Sequence, residues 1–302
     1  MQAIVSSQKE TVIAIGKFEA LHKGHVHLIT TTVEYAKNYG LKSCVLHFVP
    51  NPIKILYDSG YKSLFSKEEY NLLLANYGLD YSIPYTFDSS VAQLSPAAFC
   101  SIIKEQFSCK TLIVGEEFRF GQDRAGNAEL LSGLSAKLDM QIVVVPIVKL
   151  ADDSEKISTS QIRRYLAQSQ IRQANKILAS PFLVMGTVTK GRQLGRTIGF
   201  PTANIMPPPD KFLPPNGVYV TQVLLDGKRL NAITNIGTNP TVTSETNCKV
   251  ETHIFNFDQD IYGKQLIVEF YEFIRPETTF SGITELQQQM QADADIARGL
   301  KY

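Results

Sequence analysis

The apolar positions of this chain change their period near its middle. In the first half, short runs of branched residues alternate with longer stretches of helical spacing. Thr11–Ile15 and Cys44–Val49 are strand runs, the second stopped by Pro50 and Pro52. Thr111–Val114 and Gln141–Val145 are buried-type strands of the same kind. Among them, His25–Lys37 carries Leu28, Ile29 and Val33 on one helical side. Lys67–Tyr77 follows Ser66, a helix N-cap, with Glu69 three positions on. Pro96–Phe107 has Ser95 before it and proline at its first helical position. Strands alternating with helices predict an open parallel sheet. Two more helical segments, Ser158–Gln168 and Ile171–Ala179, end at Ser180-Pro181, where the domain boundary is expected.

Beyond that point the pattern is that of strands separated by turn residues. Leu183–Thr189, Val218–Leu225, Arg229–Ile236, Val250–Phe257 and Gln265–Phe273 read as strands. Asp226-Gly227 is a hairpin turn. Antiparallel strands this closely spaced predict a small closed barrel. Ile283–Ile296 is an amphipathic helix with Ile283, Leu286 and Met290 on one face. The expected fold class is therefore α/β, with a parallel-sheet domain over 1–180 that includes the helical connection and an antiparallel barrel with its closing helix over 181–302.

Composition agrees with two ordinary globular domains: 302 residues, 44% hydrophobic and 20% charged. A net charge of +1 gives no electrostatic case for nucleic acid or an anionic membrane as partner. The apolar run at Ile142–Val148 is short and broken by Pro146, which excludes an integral transporter or channel. The start, MQAIVSSQKE, lacks a signal peptide's apolar core. Cys44, Cys100, Cys109 and Cys248 form no C-x-x-C pair. The expectation is a cytoplasmic protein with reduced thiols, a monomer or weak homo-oligomer.

Three segments carry candidate chemistry. Residues 191–204 read GRQLGRTIGFPTAN. Gly191, Gly195 and Gly199 allow sharp turns and close ligand approach, and Arg192 and Arg196 offer charge to phosphates. Thr202 and Asn204 point the same way in an extended segment, an arrangement that suits a metal–nucleotide complex. Composition alone fits a glycine-rich surface hairpin equally well. The second segment is His22-Lys23-Gly24-His25, an H-x-G-H placed after the first strand and at a helix start. Ligands of parallel sheets bind at the carboxyl ends of strands, and helix starts favour anions. Two imidazoles three apart can donate to phosphate, and Gly24 admits the nucleotide. Metal ligation by His22, His25 and His27, or plain surface histidines, are the alternatives. The third segment, Lys156 to Arg164, places the hydroxyls of Thr159 and Ser160 and the cation of Arg163 at a helix start. By itself it reads first as a hydroxyl cap on a solvated helix.

Together these residues resemble the bacterial bifunctional riboflavin kinase / FMN adenylyltransferase family, also called FAD synthetase, along nearly the whole chain. Its G-x-F-D-G-x-H-x-G-H motif resembles Gly16 to His25, and its I-S-S-T-x-I-R motif resembles Ile157 to Arg163. Its V-G-x-D/N-F-x-F-G segment is similar to Val114 to Gly121, and G-x-x-x-G-R-x-x-G-F-P-T-A-N is matched in full by Gly191 to Asn204. Gly217 to Tyr219, Ile236 to Thr241 and the V-E-x-H of Val250 to His253 complete the likeness.

The resemblance implies a Rossmann-like nucleotidyltransferase domain followed by a riboflavin kinase barrel. It implies ATP-dependent phosphorylation of riboflavin to FMN in the barrel, and adenylyl transfer from a second ATP to FMN in the front domain, giving FAD and pyrophosphate. Thr202 would be the Mg2+ ligand, Asn204 its support, and Glu251 the base for the ribityl hydroxyl; outside the resemblance, Glu251 reads as a strand-end surface carboxylate. In the front domain, His22, His25, Thr159, Ser160 and Arg163 would contact phosphates, with Gly16, Phe18, Gly24 and Glu117 in the ATP pocket. The departures fall in that domain. Glu19-Ala20 replaces Asp-Gly, Asn51 replaces a histidine, Glu117 replaces Asp or Asn, and the hydroxyl run is Ser-Thr-Ser. A kinase with a weak adenylyltransferase domain and a non-catalytic flavin or nucleotide sensor are the competing functions. Dehydrogenase and P-loop readings lack their glycine motifs, and neutral charge with a C-terminal barrel disfavours an aminoacyl-tRNA synthetase.

Overall fold

The computed structural model describes residues 9–58, 60–149, 156–191, 195, 198–238 and 248–300. The chain forms two compact units, Met1–Ser63 with Tyr70–Thr159, and Leu64–Glu69 with Ser160–Tyr302.

The first unit is built on a five-stranded parallel sheet in the order β3-β2-β1-β4-β5. Its strands are β1 (Thr11–Gly16), β2 (Lys42–Val49), β3 (Tyr81–Thr86), β4 (Cys109–Gly115) and β5 (Gln141–Val145). Helices α1 (Lys23–Tyr39), α2 (Pro52–Leu56), α4 (Ser89–Ala92), α5 (Pro96–Phe107) and α6 (Ala128–Leu138) lie between them, and α3 (Lys67–Ala75) begins in the 64–69 segment. The central strand is sealed, with Val12, Ile13 and Ala14 fully buried. Ile13, Leu46, Ile103, Leu112 and Leu131 share its core. Strand order reverses between β1 and β4, so the crevice for a ligand opens where those two strands end. Strand β3, absent from the sequence expectation, carries Pro84 and sits at the sheet edge, where a missing N–H does least harm.

Helix starts follow local chemistry. Ser95 Oγ accepts from Ala98 N at 3.2 Å ahead of Pro96. Ser66 and Glu69 form a reciprocal capping box, Ser66 N donating to Glu69 Oε2 at 2.7 Å and Glu69 N to Ser66 Oγ at 3.2 Å.

The second unit holds a six-stranded antiparallel near-barrel, ordered β6-β11-β8-β9-β10-β7. The strands are β6 (Leu183–Thr187), β7 (Ala203–Ile205), β8 (Gly217–Leu225), β9 (Lys228–Thr238), β10 (Cys248–Ile254) and β11 (Gln265–Arg275). A single bridge, Thr189 opposite Asn204, draws the two edges together, with Thr189 N donating to Asn204 O at 2.8 Å. Asp226 (φ 49°) and Gly227 (φ 77°) make the tight β8–β9 turn, both left-handed as a type I′ hairpin requires. Helices α7 (Thr159–Ala167) and α8 (Ile171–Ile177) precede the barrel; Asn175 donates to Phe270 O at 2.8 Å and accepts from Phe182 N at 2.9 Å. Helix α9 (Ile283–Gly299) packs Leu286, Met290, Ala294 and Ala297 against Val220 and Ile233. Ile283, on the same face by spacing, lies ahead of that contact and is 64% exposed.

One buried ion pair also belongs to this unit. Lys211 Nζ donates to Glu69 Oε2 at 2.6 Å, Leu64 O at 2.5 Å and Leu183 O at 2.9 Å. Glu69 Oε1 accepts from Met185 N at 2.8 Å, and the ammonium lies over the rings of Phe65 and Phe182. Every donor direction of the ammonium is used, which is what tolerates a charge there. Burial lowers the lysine pKa, and Glu69 opposes that shift.

Candidate active sites

In the first unit the chain leaves β1 at Gly16 and enters α1 through two left-handed residues, Phe18 (φ 45°) and Leu21 (φ 43°). This unusual backbone seats Phe18 fully buried beneath His25, ring centroids 5.2 Å apart. Phe18 therefore supports the histidine from behind. His22 caps α1, its Nδ1 accepting from His25 N at 3.1 Å. The two imidazoles stack, 3.6 Å between centroids and 13° between planes. A Cβ on Gly24 would meet the His22 ring at 3.2 Å, so glycine keeps this packing relaxed.

Burial sets the protonation state of both rings. Burial, with a smaller contribution from the charge of Lys156, pushes His22 down to about 4 against an opposing backbone hydrogen bond. Burial and the adjacent His22 take His25 well below the ordinary imidazole range. Both rings are neutral at neutral pH. Because Nδ1 of His22 is an acceptor, its proton resides on Nε2, a donor for an anion. His25 Nδ1 is buried without a hydrogen-bond partner. Nitrogen-detected NMR checks this: at about pH 6 His22 should remain the neutral Nε2–H tautomer. A half-protonated ring at that pH would contradict it.

The other predicted front residues occupy different places. Glu117, just beyond β4, forms an ion pair with Lys156. Thr159 closes the first unit, whereas Ser160 and Arg163 belong to the second, where Arg163 lies 5.2 Å from the Phe212 ring centroid. The substituted positions Glu19 and Asn51 touch each other. Asn51 Nδ2 donates to Glu19 Oε2 at 3.0 Å, and the Tyr61 hydroxyl donates to the same oxygen at 2.5 Å. Lys17, exposed just past the end of β1, has its pKa lowered by desolvation and by the nearby charge of Arg124, with Glu19 opposing. Sequence spacing singles out none of Lys17, Arg124 and Lys156, although Lys17 and Lys156 lie inside the motif segments, since a lone basic residue carries no spacing signal.

In the second unit, register brings the predicted kinase residues together. Glu251 on β10 lies directly opposite Asn204 on β7 and, on its other side, opposite Asn235 on β9. Directly opposite residues share a sheet face, and alternation places His253 there too. His253 Nδ1 donates to the Pro201 carbonyl at 2.9 Å and so ties β10 to the Phe-Pro-Thr-Ala-Asn segment. Burial lowers its pKa, with the charge of Arg298 adding to this and the Pro201 bond opposing.

The glycine loop is shaped by close contacts. A Cβ on Gly191 would strike the Asn204 amide at 2.6 Å, and one on Gly195 would strike the Phe200 carbonyl at 2.2 Å. Phe200 N donates to Gly195 O at 2.8 Å, and Gly199 has φ 81°. Arg192 and Arg196 lie outside the described residues. Asn204 is 6% exposed and its Oδ1 has no hydrogen-bond partner. Its Nδ2 donates to the Thr202 carbonyl at 3.4 Å.

Two cavities meet at Thr202. One, of about 260 Å³, is lined by Thr202, Asn235, Glu251, His253, Arg275 and Met290. The other, of about 170 Å³, is lined by Thr202, Thr252, Phe257, Asp258, Asp260 and Tyr262. Arg275 is held along one wall of the larger cavity by Asp293 of α9, Nε to Oδ1 at 3.0 Å and a terminal nitrogen to Oδ2 at 2.7 Å. Asn235, Arg275 and Asp293 were not legible as site residues, because only the barrel and α9 bring them beside Glu251.

Comparison with known proteins gives the same division of labour. A FAD synthetase family model matches residues 4–161, and a riboflavin kinase family model matches residues 178–301. The bifunctional riboflavin kinase/FMN adenylyltransferase of Listeria monocytogenes is 31% identical over 95% of this chain and 91% of that protein. The Escherichia coli K12 protein of the same name is 33% identical over 96% of this chain and 93% of its own length. A crystal structure described as a macrolide-efflux protein from Streptococcus pneumoniae has a TM-score of 0.88 at 29% identity, covering 98% of this chain and 96% of that one. Its efflux description stays with that protein; among the described residues here, no helix is long and apolar enough to cross a membrane. With both family models matched in order and relatives aligned along nearly their whole length, the chain belongs to the bifunctional riboflavin kinase/FMN adenylyltransferase family.

Proposed function

We propose that the second unit phosphorylates riboflavin at the junction of its two cavities, and that the first unit adenylylates the FMN produced. The meeting of the two cavities at Thr202, with Glu251 in the larger one, carries the kinase assignment. The larger cavity, walled by Ile198, Val218, Phe280 and Leu286, takes the apolar flavin ring. The smaller takes the nucleotide. Glu251 removes the ribityl hydroxyl proton as that oxygen attacks the γ-phosphorus, and ADP departs. Gly191, Gly195 and Gly199 bring backbone close to the phosphates, and Arg192 and Arg196 supply charge to them.

The donor set fits magnesium. The Thr202 hydroxyl and the unpartnered Asn204 Oδ1 are hard oxygen donors that would hold the ion. Bound there, it would neutralise charge on the transferred phosphoryl group.

In the first unit, His22 donates from Nε2 to ATP phosphate, and His25, stacked against it, belongs to the same phosphate-binding set. Phe18 holds the stack, and Gly16 and Gly24 keep the backbone close. Glu117 and Thr159 complete the ATP-binding set of that unit. The protein works in the cytoplasm, a reading supported by four free cysteines, and as a monomer or weak homo-oligomer.

Chromatography of flavins from purified protein incubated with riboflavin, ATP and magnesium tests the reading. FMN should appear first and FAD after it. FMN without FAD at any enzyme concentration would leave only the kinase, and neither product would overturn both assignments.

A further inference from the structure

The motif histidines of the first unit are neutral, yet the group leaving in adenylyl transfer is pyrophosphate. The FMN phosphate oxygen bonds to the α-phosphorus, the bond from that phosphorus to the bridging oxygen breaks, and the electron pair departs on pyrophosphate. No proton transfer is needed, so a fixed cation serves better than an acid. We propose that Lys156, held by Glu117 beside the His22–His25 stack, is the cation that binds the pyrophosphate end of ATP. This rests on the adenylyltransferase reading of the first unit.

Three observations carry it. First, the strands β1, β4 and β5 are neighbours in the sheet, and His22, Glu117 and Lys156 all follow their carboxyl ends. That is the edge at which such sheets bind ligands. Second, Lys156 does not hang from a free strand end. Its backbone is bridged to Lys149 and its ammonium is paired with Glu117. Third, its charge is felt at His22, so the ammonium and the neutral donor serve one locality.

The pair is built to exchange. The Lys156 and Glu117 side chains are 47% and 54% exposed, unlike the sealed Lys211–Glu69 pair. A solvated pair holds weakly, whereas a polyphosphate brings several charges to the same ammonium. Glu117 thus keeps the lysine positioned over the crevice until phosphate replaces it.

The reverse reaction separates this role from a structural one. Wild-type and Lys156→Met proteins are supplied with FAD and pyrophosphate, and ATP and FMN are measured. The variant should raise the pyrophosphate KM by about 10-fold or more, with the FAD KM within about twofold. Lys156→Arg should restore most of the loss. FMN formation from riboflavin reports that the variant remains folded. A pyrophosphate KM unchanged in Lys156→Met would overturn the proposal. If the wild type itself exchanges nothing, the adenylyltransferase reading has failed, and calorimetric titration with magnesium pyrophosphate decides Lys156 separately. Equal affinity in the two proteins then overturns it.

Discussion

Replacing Glu251 by glutamine should lower FMN formation by about 10²- to 10⁴-fold, the usual contribution of a positioned general base. Glutamine keeps the size and hydrogen-bonding reach of the side chain but cannot take a proton. The β10 backbone is paired on both sides, with β7 and β9, so the substitution leaves the strand in place. Thr202 and Asn204 are untouched, and ATP affinity should change little. The loss should therefore appear in kcat, with little change in the KM for ATP. A kcat near that of the wild type would show that Glu251 is not the base. Glu251→Asp serves as a graded control, since it keeps the carboxylate but withdraws it by one methylene.

Thr202→Val is the second large effect. Valine matches the shape of threonine and removes only the hydroxyl at the meeting point of the cavities. Asn204 Oδ1 would then be the one protein oxygen of the proposed pair left for magnesium. FMN formation should fall by about 100-fold or more, and the magnesium concentration needed for half-maximal rate should rise. Thr202→Ser should recover most of the activity, because the oxygen returns. A valine variant with normal magnesium dependence would remove Thr202 from the metal site. The Glu251 and Thr202 variants should differ in kind, since added magnesium partly rescues the second and not the first.

Much of the fold was written in local patterns. The Asp226-Gly227 turn, the Ser95-Pro96 start and the Ser66–Glu69 box each depend on residues a few positions apart, and each forms as expected. What escaped is non-local. Nothing near Lys211 announces a buried ammonium, because its partners come from the 64–69 segment and β6. Strand β7 is three residues long, too short for a period to show. It exists because β10 pairs with it.

The sites divide the same way. The glycine motif was readable, and the requirement for Gly191 becomes physical once the Asn204 amide is seen where a Cβ would go. Glu251 lies far along the chain from Asn204, and only barrel register sets them face to face. In the front unit the H-x-G-H spacing was clear but its electrical state was not. Burial, with the charge of Lys156 adding to it, neutralises His22, and the stacked His25 rests on Phe18, which a left-handed turn seats. The Glu19 and Asn51 departures looked like separate changes. They form one hydrogen-bonded pair, which keeps the end of β1 tied to the start of α2.

The two proposed sites use different residues in different units, and one variant tests that separation most directly. Glu251→Gln protein is given ATP and magnesium with either riboflavin or FMN as the flavin, and FAD is quantified. FAD should form from FMN at the wild-type rate and should be nearly absent from riboflavin. Loss of FAD formation from FMN, or wild-type FAD formation from riboflavin, would contradict the separation of the two sites.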